Sequence, residues 1–314
     1  MRKYVVQRLL LMVPTVLFVS MVIFSLIRLI PGDVTQIMVE NFKYADDTKE
    51  LKRQLGLDQP IPVQYARWLW GVVRGDFGTS IWTKRSIGDE LKTRFPVSLE
   101  LGLYAMLVSV ALAIPVGVLA AIRQDTWIDY VLRTFSIIFL SVPGFWLATL
   151  VVVLPSLWWQ KSPLLPWAYF HEDPLRNLLV LTTPALILGV DRAAALMRMT
   201  RSQMLEVLRQ DYVRTAWAKG LRERRVVLRH ALKNALIPVV TIIGLQVPVI
   251  LGGSLIMESI FNLPGMGQFL INVINQRDYP MLQAITVVFT VTVLAVNLVV
   301  DIIYAYLDPR VRLG

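Results

Sequence analysis

The sequence contains no cysteine and only two histidines among its 314 residues. The missing thiols exclude disulfide frameworks, cysteine-ligated zinc, iron–sulfur clusters and thiol catalysis. His171 and His230 fall in different connections between apolar stretches, so they form neither a metal cluster nor a histidine-based catalytic triad. None of the 17 glycines is followed by lysine, which excludes the phosphate-binding pattern GxxxxGK. We therefore expect a chain that is not an enzyme and that binds no metal or cofactor of its own.

Charged residues are also scarce, at 17% of the chain, whereas hydrophobic residues make up 55%. The balance is nevertheless basic, with 32 Lys and Arg against 22 Asp and Glu, a net charge of +10 and an isoelectric point near 9.9. Such a balance often indicates a nucleic-acid binder, but those proteins carry dense basic faces on a polar surface. The apolar content excludes a nucleic-acid partner here and indicates an integral membrane protein.

Long apolar runs are abundant, and a helix needs about 20 apolar residues to cross the core of a bilayer. Five uncharged runs reach roughly that length, at residues 9–27, 101–122, 134–160, 234–257 and 279–300. A sixth run, 177–197, is interrupted by Asp191 and Arg192. We predict an all-α integral membrane protein with six transmembrane helices.

The basic residues predict the orientation of these helices, because Lys and Arg accumulate on the cytoplasmic side. The chain begins with Arg2, Lys3 and Arg8, and the connection 198–233 holds ten basic residues against three acidic ones. Both segments are expected inside, and six spans return the C-terminus to the same side. The resulting domains are a tail and first helix at 1–31, an external loop at 32–97, a five-helix transmembrane domain at 98–308 with an inner connection at 198–234, and a cytoplasmic tail at 309–314.

The external loop carries two predicted helices. Residues 46–57 have the pattern of a short charged helix, and residues 62–73 that of an amphipathic helix containing Tyr65 and Trp68. Because tyrosine and tryptophan favour the membrane–water boundary, we expect the second helix to lie at that interface rather than in a soluble domain.

A stripe of small residues lies on the second apolar run, at Ala113, Gly117 and Ala121. The four-residue spacing places these residues on one helix face, where they permit close helix contact. Packing within the chain is the simpler interpretation, and a subunit interface is the alternative.

The inner connection contains local signals for a short helix that stops sharply. Asp211 is a favourable N-cap residue, residues 213–219 can form two helical turns, and Gly220 suits the left-handed position after a helix end. Leu221 can then fold back on Ala216. A second helix is expected to start near position 222 and to continue into the fifth span. Such a capped helix is a rigid protrusion, and a basic loop solvated by water and lipid headgroups is the alternative.

The order of residues in this segment resembles a known pattern. The strings DYVRTAWAKGL (211–221) and RHALKNALIP (229–238) are similar to the EAA loop of permease subunits of ATP-binding cassette (ABC) importers. Further matching strings are IPGD (30–33), LGLD (55–58), FNLPGMG (261–267), RDYP (277–280) and LDPR (307–310). The resemblance therefore extends along nearly the whole chain, and it is to the B-type subunit of the dipeptide/oligopeptide/nickel permease family.

Two departures from the family pattern fall in this loop. Arg214, Thr215 and Ala216 stand where the general pattern has Glu-Ala-Ala, a variation that is usual in the peptide branch. Trp217 stands where that branch commonly has arginine, which leaves open whether this position makes a polar or an apolar contact.

This resemblance implies the type I ABC importer permease fold in a bacterial cytoplasmic membrane. It also implies a coupling helix, at about residues 211–220, that inserts into a cleft on a separate ATPase subunit. The docking positions would be Asp211, Tyr212, Arg214, Thr215, Ala216, Trp217 and Gly220. The implied partners are the lipid bilayer, a second homologous permease subunit that forms a heterodimer with this chain, two ATP-binding subunits that hold ATP and magnesium, and an external substrate-binding protein.

The substrate and the path stay open at the level of sequence. The resemblance implies a subunit that forms half of the path of an ATP-driven importer, with short peptides as the expected substrate. Nickel complexes and glutathione, which members of the resembling family also handle, are the alternatives. Asp191 and Arg192 are candidates for the path because charges inside a membrane are costly and often functional. The alternatives are that they form a neutralising internal pair, or that the membrane span ends earlier than residue 197. The rival function is a gradient-driven carrier or channel, which would transport without ATP.

Overall fold

The computed structural model describes residues 2–29, 58–160 and 162–307. Within these ranges the chain is helical, and the one backbone bridge is an isolated pair between Thr79 and Ser86. The described helices are α1 (Arg2–Leu29), α2 (Ile61–Val73), α3 (Ile87–Ile122), α4 (Trp127–Ser141), α5 (Gly144–Trp159), α6 (Pro174–Leu208), α7 (Asp211–Ala218), α8 (Glu223–Ile260), α9 (Met266–Gln276) and α10 (Tyr279–Leu307). A π-helical turn, Val226–Ala231, lies near the start of α8.

Five of the described helices are long and apolar enough to cross a membrane, namely α1, α3, α6, α8 and α10. The predicted third span is not one straight helix. It is the pair α4 and α5, which bend by 81° relative to each other. The bend follows from Pro143, because a proline pushes the residue before it out of the helical region. Val142 accordingly has extended dihedral angles, φ −93° and ψ 116°. Six spans are present when this bent pair is counted as one.

Several helices extend beyond the runs predicted from hydropathy. α3 begins at Ile87, with Asp89 and Glu90 in its first turn, where acidic groups favour the positive end of the helix dipole. α6 continues through Asp191 and Arg192 to Leu208, so both residues lie within a continuous helix. The amphipathic helix of the external loop is confirmed as α2, whereas the predicted charged helix at 46–57 lies outside the described residues. Hydropathy locates only the apolar part of each helix, whereas the helix itself continues into the more polar flanking sequence.

The chain divides into two compact units, and the larger one comprises Met1–Leu9, Phe95–Gln268 and Val293–Gly314. Its core is formed by α3, α5, α6 and α8, with Leu101, Leu181 and Ile250 fully or almost fully buried. The small-residue stripe packs inside this unit. A Cβ on Gly117 would stand 2.7 Å from the Cβ of Thr200 on α6. The stripe therefore serves helix packing within the chain, as the simpler interpretation predicts.

The two terminal spans also meet in the larger unit. Arg8 near the start of α1 lies 3.3 Å from Asp301 near the end of α10, measured from Nε to Oδ2. The start of the first span and the end of the last therefore lie together, which agrees with an even number of spans. Which side of the membrane they face stays a prediction.

The smaller unit comprises Leu10–Arg94 and Phe269–Thr292. Here α2 packs on α1 through an aromatic cluster, in which Phe24 lies 5.2 Å from Tyr65 and 5.7 Å from Trp68 between ring centroids. The hydroxyl groups of Ser20 and Tyr65 are 2.9 Å apart. The aromatic face of α2 thus serves to hold the helix against the first span.

Candidate functional site

The inner connection folds as predicted into a short helix, α7, followed by the start of α8. The predicted N-cap is wrong by one residue, because Gln210 holds the extended cap position and Asp211 is the first helical residue. The Asp211 carboxylate is solvent-exposed and lies 3.4 Å from Arg214. Its charge still stands at the positive end of the α7 dipole, where an acidic group is favourable.

The end of α7 is closed by backbone hydrogen bonds around Gly220. The N–H of Gly220 donates to the carbonyl of Trp217 at 2.9 Å, and the N–H of Leu221 donates to that of Ala216 at 3.4 Å. This pair of bonds is the Schellman motif, which requires a left-handed residue at its centre. Gly220 has φ +73°, a conformation that glycine adopts without the strain of a side chain. The prediction of a sharp stop at Gly220 is confirmed.

One face of α7 is buried against the rest of the inner segment. Val213, Ala216 and Val226 form a small apolar cluster, and Leu208 and Leu221 pack on its edge. Val226 belongs to the π-helical turn of α8, so the cluster joins α7 to both neighbouring spans. Ala216 therefore contributes by packing and not by presenting its side chain on the surface.

Tyr212 is turned toward α8. Its hydroxyl accepts a hydrogen bond from the side-chain amide of Asn234 at 2.7 Å and lies 3.4 Å from the carbonyl of His230. This contact fixes the angle between α7 and α8 at a second point. Of the predicted docking positions, Tyr212 thus has a partner inside the chain, while its ring remains partly exposed.

The remaining docking positions form an exposed face. Arg214 and Thr215 are exposed, and Trp217 keeps 45% of its surface open. The Thr215 hydroxyl donates to the Asp211 carbonyl, which leaves the outer surface of α7 to the guanidinium and the indole. The structure therefore brings together a compact face that combines one cation with one large aromatic ring.

A concave surface continues from this face beyond Gly220. Its volume is about 620 Å³, and it opens between the turn after α7 and the first turns of α8. We call it the arginine groove, and it is lined by Gly220, Leu221, Arg222, Arg224, Arg225 and Leu228.

Asp191 and Arg192 lie in the middle of α6, apart from α7. Seventeen residues separate Asp191 from the end of α6 at Leu208, which is about 25 Å at the helical rise. The two side chains form an ion pair of 2.8 Å and remain partly exposed. Asp191 also lies close to Gly144, at the bend between α4 and α5. A neutralising pair is therefore present, and it stands beside the broken span.

Sequence reasoning missed two buried carboxylates. Asp129 on α4 receives two hydrogen bonds from Arg201 on α6, at 2.8 and 2.7 Å. Glu258 on α8 accepts from the Ser98 hydroxyl at 2.6 Å and from the Gly267 N–H at 2.7 Å. A Cβ on Gly265 would overlap the Glu258 carboxyl group.

A signal for the second carboxylate was available in the sequence. Glu258 stands shortly before the string FNLPGMG, whose glycines make room for its carboxylate beside the start of α9. The sequence contains no comparable signal for the pair of Asp129 and Arg201, because Arg201 is one of ten basic residues in the inner connection. Within the described ranges, no three His, Asp or Glu side chains are close enough to share a metal ion.

Comparison with known proteins gives matches along the whole chain. A family model described as "Binding-protein-dependent transport system inner membrane component" matches residues 113–313, and one described as the N-terminal part of such a membrane component matches residues 1–102. The dipeptide transport system permease protein DppB of Escherichia coli (strain K12) is 37% identical over 99% of both chains. The glutathione transport system permease protein GsiC of Salmonella paratyphi A is also 37% identical over 99% of both chains.

A third relative and two solved structures extend these matches. The oligopeptide transport system permease protein AppB of Bacillus subtilis (strain 168) is 38% identical over 99% of this chain and 100% of its own. A chain of the MetNI methionine ABC transporter covers 70% of this chain and 96% of its own, with a TM-score of 0.56 and 17% identity. A chain of an amino acid ABC transporter covers 69% and 94%, with a TM-score of 0.50 and 13% identity. At these identities the two structures show the fold, which is that of ABC importer permeases.

Proposed function

The chain belongs to the family of binding-protein-dependent transport system inner membrane components, and on that premise we propose that it forms half of the path by which an ATP-driven importer carries short peptides inward. Its five long apolar helices and its bent pair make it a multi-pass membrane protein, and its family and bacterial relatives assign it to the inner membrane. The observation that carries the proposal is α7, a short helix closed at Gly220 and packed against both adjoining spans.

In this function α7 is the coupling helix. A helix that is to transmit displacement has to be stiff and has to be fixed to the elements that move. The cluster around Val213 and the hydrogen bond from Asn234 to Tyr212 provide that attachment. The exposed side chains of Arg214 and Trp217 would insert into a cleft of the ATPase subunit, with Asp211 and Thr215 at the edge of the contact. Gly220 would set the sharp turn that makes the helix protrude.

The energy source would lie on other subunits. We propose that two ATP-binding subunits hold ATP and magnesium on the cytoplasmic face, and that this chain binds no cofactor and catalyses no reaction. A second, homologous permease would supply the other half of the path. An external substrate-binding protein would deliver the substrate to the outer face.

Short peptides are the proposed substrate because relatives named for dipeptide and oligopeptide transport match the chain over almost its full length. Glutathione is a second candidate, since a permease named for glutathione transport matches at the same identity. Glutathione is itself a tripeptide, so one path could suit both kinds of molecule.

Asp191 and Arg192 are proposed to line the path. Their side chains remain partly exposed in the middle of a membrane-spanning helix, although they neutralise each other. They also lie close to the bend between α4 and α5. An ion pair in that position offers one carboxylate and one guanidinium to the two charged ends of a peptide.

The coupling role can be tested by forcing a β-branched side chain into the turn after α7. The complex of both permeases and the ATPase subunits is reconstituted, and ATP hydrolysis is measured with and without the peptide-loaded binding protein. We expect Gly220→Val to lower the stimulated rate at least tenfold, because valine is strained at φ +73°.

Gly75→Val is the matched control. Gly75 also has a positive φ, of 80°, and a Cβ added to either glycine would have no other atom within 4 Å, so both changes cost similar local strain. Normal coupling by an assembled Gly220→Val complex would contradict the assignment of α7. Uptake by the wild-type chain alone in liposomes, driven by a gradient and indifferent to ATP, would contradict the importer function itself.

A further inference from the structure

The arginine groove concentrates positive charge beside α7. Arg222, Arg224 and Arg225 are exposed and stand within four consecutive positions. None of their guanidinium groups forms an ion pair or a side-chain hydrogen bond with any residue that the structure describes. By contrast, Arg201 and Arg214 of the same inner segment each have a carboxylate partner. The groove therefore holds three guanidinium groups that have no carboxylate partner among the described residues and can pair with carboxylates of another subunit.

The groove is not purely polar. Leu221 and Leu228 line it between the arginines, and 48% of Leu228 is exposed. Protein interfaces are enriched in arginine and have apolar centres, and a guanidinium fork matches a carboxylate with two parallel hydrogen bonds. The groove is an open concavity of about 620 Å³, which suits a protein segment better than an enclosed small molecule. This composition fits an acidic protein segment that carries apolar side chains better than it fits a single small anion.

A membrane surface is a poorer occupant for geometric reasons. A helix that lies on anionic lipid needs an exposed apolar face that enters the acyl boundary. The apolar face of α7 is already used, because Val213 and Ala216 are buried against Val226. Besides the partly exposed rings of Tyr212 and Trp217, the side chains exposed next to the groove are polar, including Arg214 on α7 and Lys219 just after it. The groove begins at Gly220, where α7 ends, so a protein seated on α7 would also cover the groove.

We propose that the arginine groove binds an acidic, partly apolar segment of the same ATPase subunit that receives α7. The inference rests on the proposed function, since it requires an ATPase to dock at α7. It adds a second contact of defined chemistry, in which carboxylates of the ATPase pair with Arg222, Arg224 and Arg225 while its apolar side chains cover Leu221 and Leu228.

The test is the affinity of the ATPase subunits for the permease pair in phosphatidylcholine nanodiscs, at several salt concentrations. We expect Arg222→Glu/Arg225→Glu to weaken binding at least tenfold and to reduce its dependence on salt. The matched control is Arg229→Glu/Lys233→Glu, which makes the same change in charge at exposed positions of α8 outside the groove. It should weaken binding less than threefold.

A variant that is expected to tighten ATPase binding separates the effect of charge from the effect of a folding defect. Glu223 is exposed between Arg222 and Arg224 and should repel an acidic segment. Glu223→Gln is therefore expected to tighten ATPase binding about twofold to threefold, a gain that a misfolded variant would not produce.

Three results would overturn the inference, and they differ from a failure of the proposed function. The first is equal binding by the groove variant and the control. The second is no gain from Glu223→Gln. The third is an effect that appears only when phosphatidylglycerol replaces phosphatidylcholine, which would assign the groove to lipid headgroups. If the wild-type permease pair itself binds no ATPase, the proposed function fails and the groove inference falls with it.

Discussion

Replacing Arg201 with methionine should destabilise the contact between α4 and α6 by about 3 kcal/mol. The Asp129 carboxylate has no exposed surface and receives both of its close side-chain hydrogen bonds from Arg201, at 2.8 and 2.7 Å. Methionine keeps much of the arginine stem volume but removes the charge. The variant therefore leaves a covered carboxylate without its main partner.

The magnitude follows from what remains around Asp129. Removing one member of a buried ion pair costs about 3–5 kcal/mol when nothing compensates. Here Arg133 stays 3.5 Å away, and the backbone N–H of Asp125 still donates at 3.1 Å. These two groups place the expected cost at the lower end of that range. Arg133→Met should cost at most about 1 kcal/mol, because that arginine is 39% exposed and its attraction is screened by water.

The assay is the free energy of unfolding in detergent micelles, measured for both single variants and for Asp129→Leu/Arg201→Met. The double variant should recover most of the lost stability, since apolar replacement of a whole buried pair is often neutral. A loss below about 1 kcal/mol for Arg201→Met, or a loss no larger than that of Arg133→Met, would refute the reasoning.

Two further changes test close contacts elsewhere in the larger unit. Gly267→Ala should destabilise the protein by roughly 1–3 kcal/mol, because the new Cβ would overlap the Leu255 Cα. Gly252→Ala is its control, since its Cβ would have no atom within 4 Å, and unfolding measurements should show no loss for it. Tyr212→Phe removes the 2.7 Å hydrogen bond from Asn234 and should cost about 1 kcal/mol, seen as faster hydrogen exchange in α7. Asn234→Ala should give a similar change, and combining the two should add little, whereas additive losses would deny the contact.

The inner connection was predictable because its structure is set by neighbours in sequence. A glycine after two helical turns and an apolar residue behind it determine where α7 stops, and both act over a few residues. The start was less certain, since Gln210 and Asp211 can each occupy the cap. The structure places Gln210 there with extended angles and moves Asp211 into the first turn. Local rules thus located the helix to within one residue.

The bend of 81° between α4 and α5 was beyond such rules. Hydropathy treats residues 134–160 as one continuous run, and a proline within a membrane helix can be accommodated when neighbouring groups satisfy the freed carbonyl. Pro155 is an example within the same run, because α5 continues through it without a break. Pro143 instead ends α4, and it begins a Pro-Gly pair, a turn signal that Pro155 lacks, but this signal does not give the angle of the bend.

The partners of the buried carboxylates were also out of reach, because they are far away along the chain. Asp129 and Arg201 are 72 residues apart, and Ser98 and Glu258 are 160 apart. Their pairing exists only once α4 lies against α6 and α3 lies against α8.

These contacts bear on how a displacement of α7 would spread through the larger unit. Two residues separate α7 from the end of α6 at Leu208, so the two helices are connected by a short link. Arg201 stands seven residues before that end, about 10 Å along the helix, and is tied to α4 through Asp129. On the other side, the cluster around Val213 joins α7 to the π-helical turn of α8.

A partner that moves α7 must therefore move α6 and α8 together or break the packing between them, and α4 follows α6 as long as the ion pair holds. The ion pair thereby links α4 of the bent span to α6, which leads into α7, and the apolar cluster links α8 to α7.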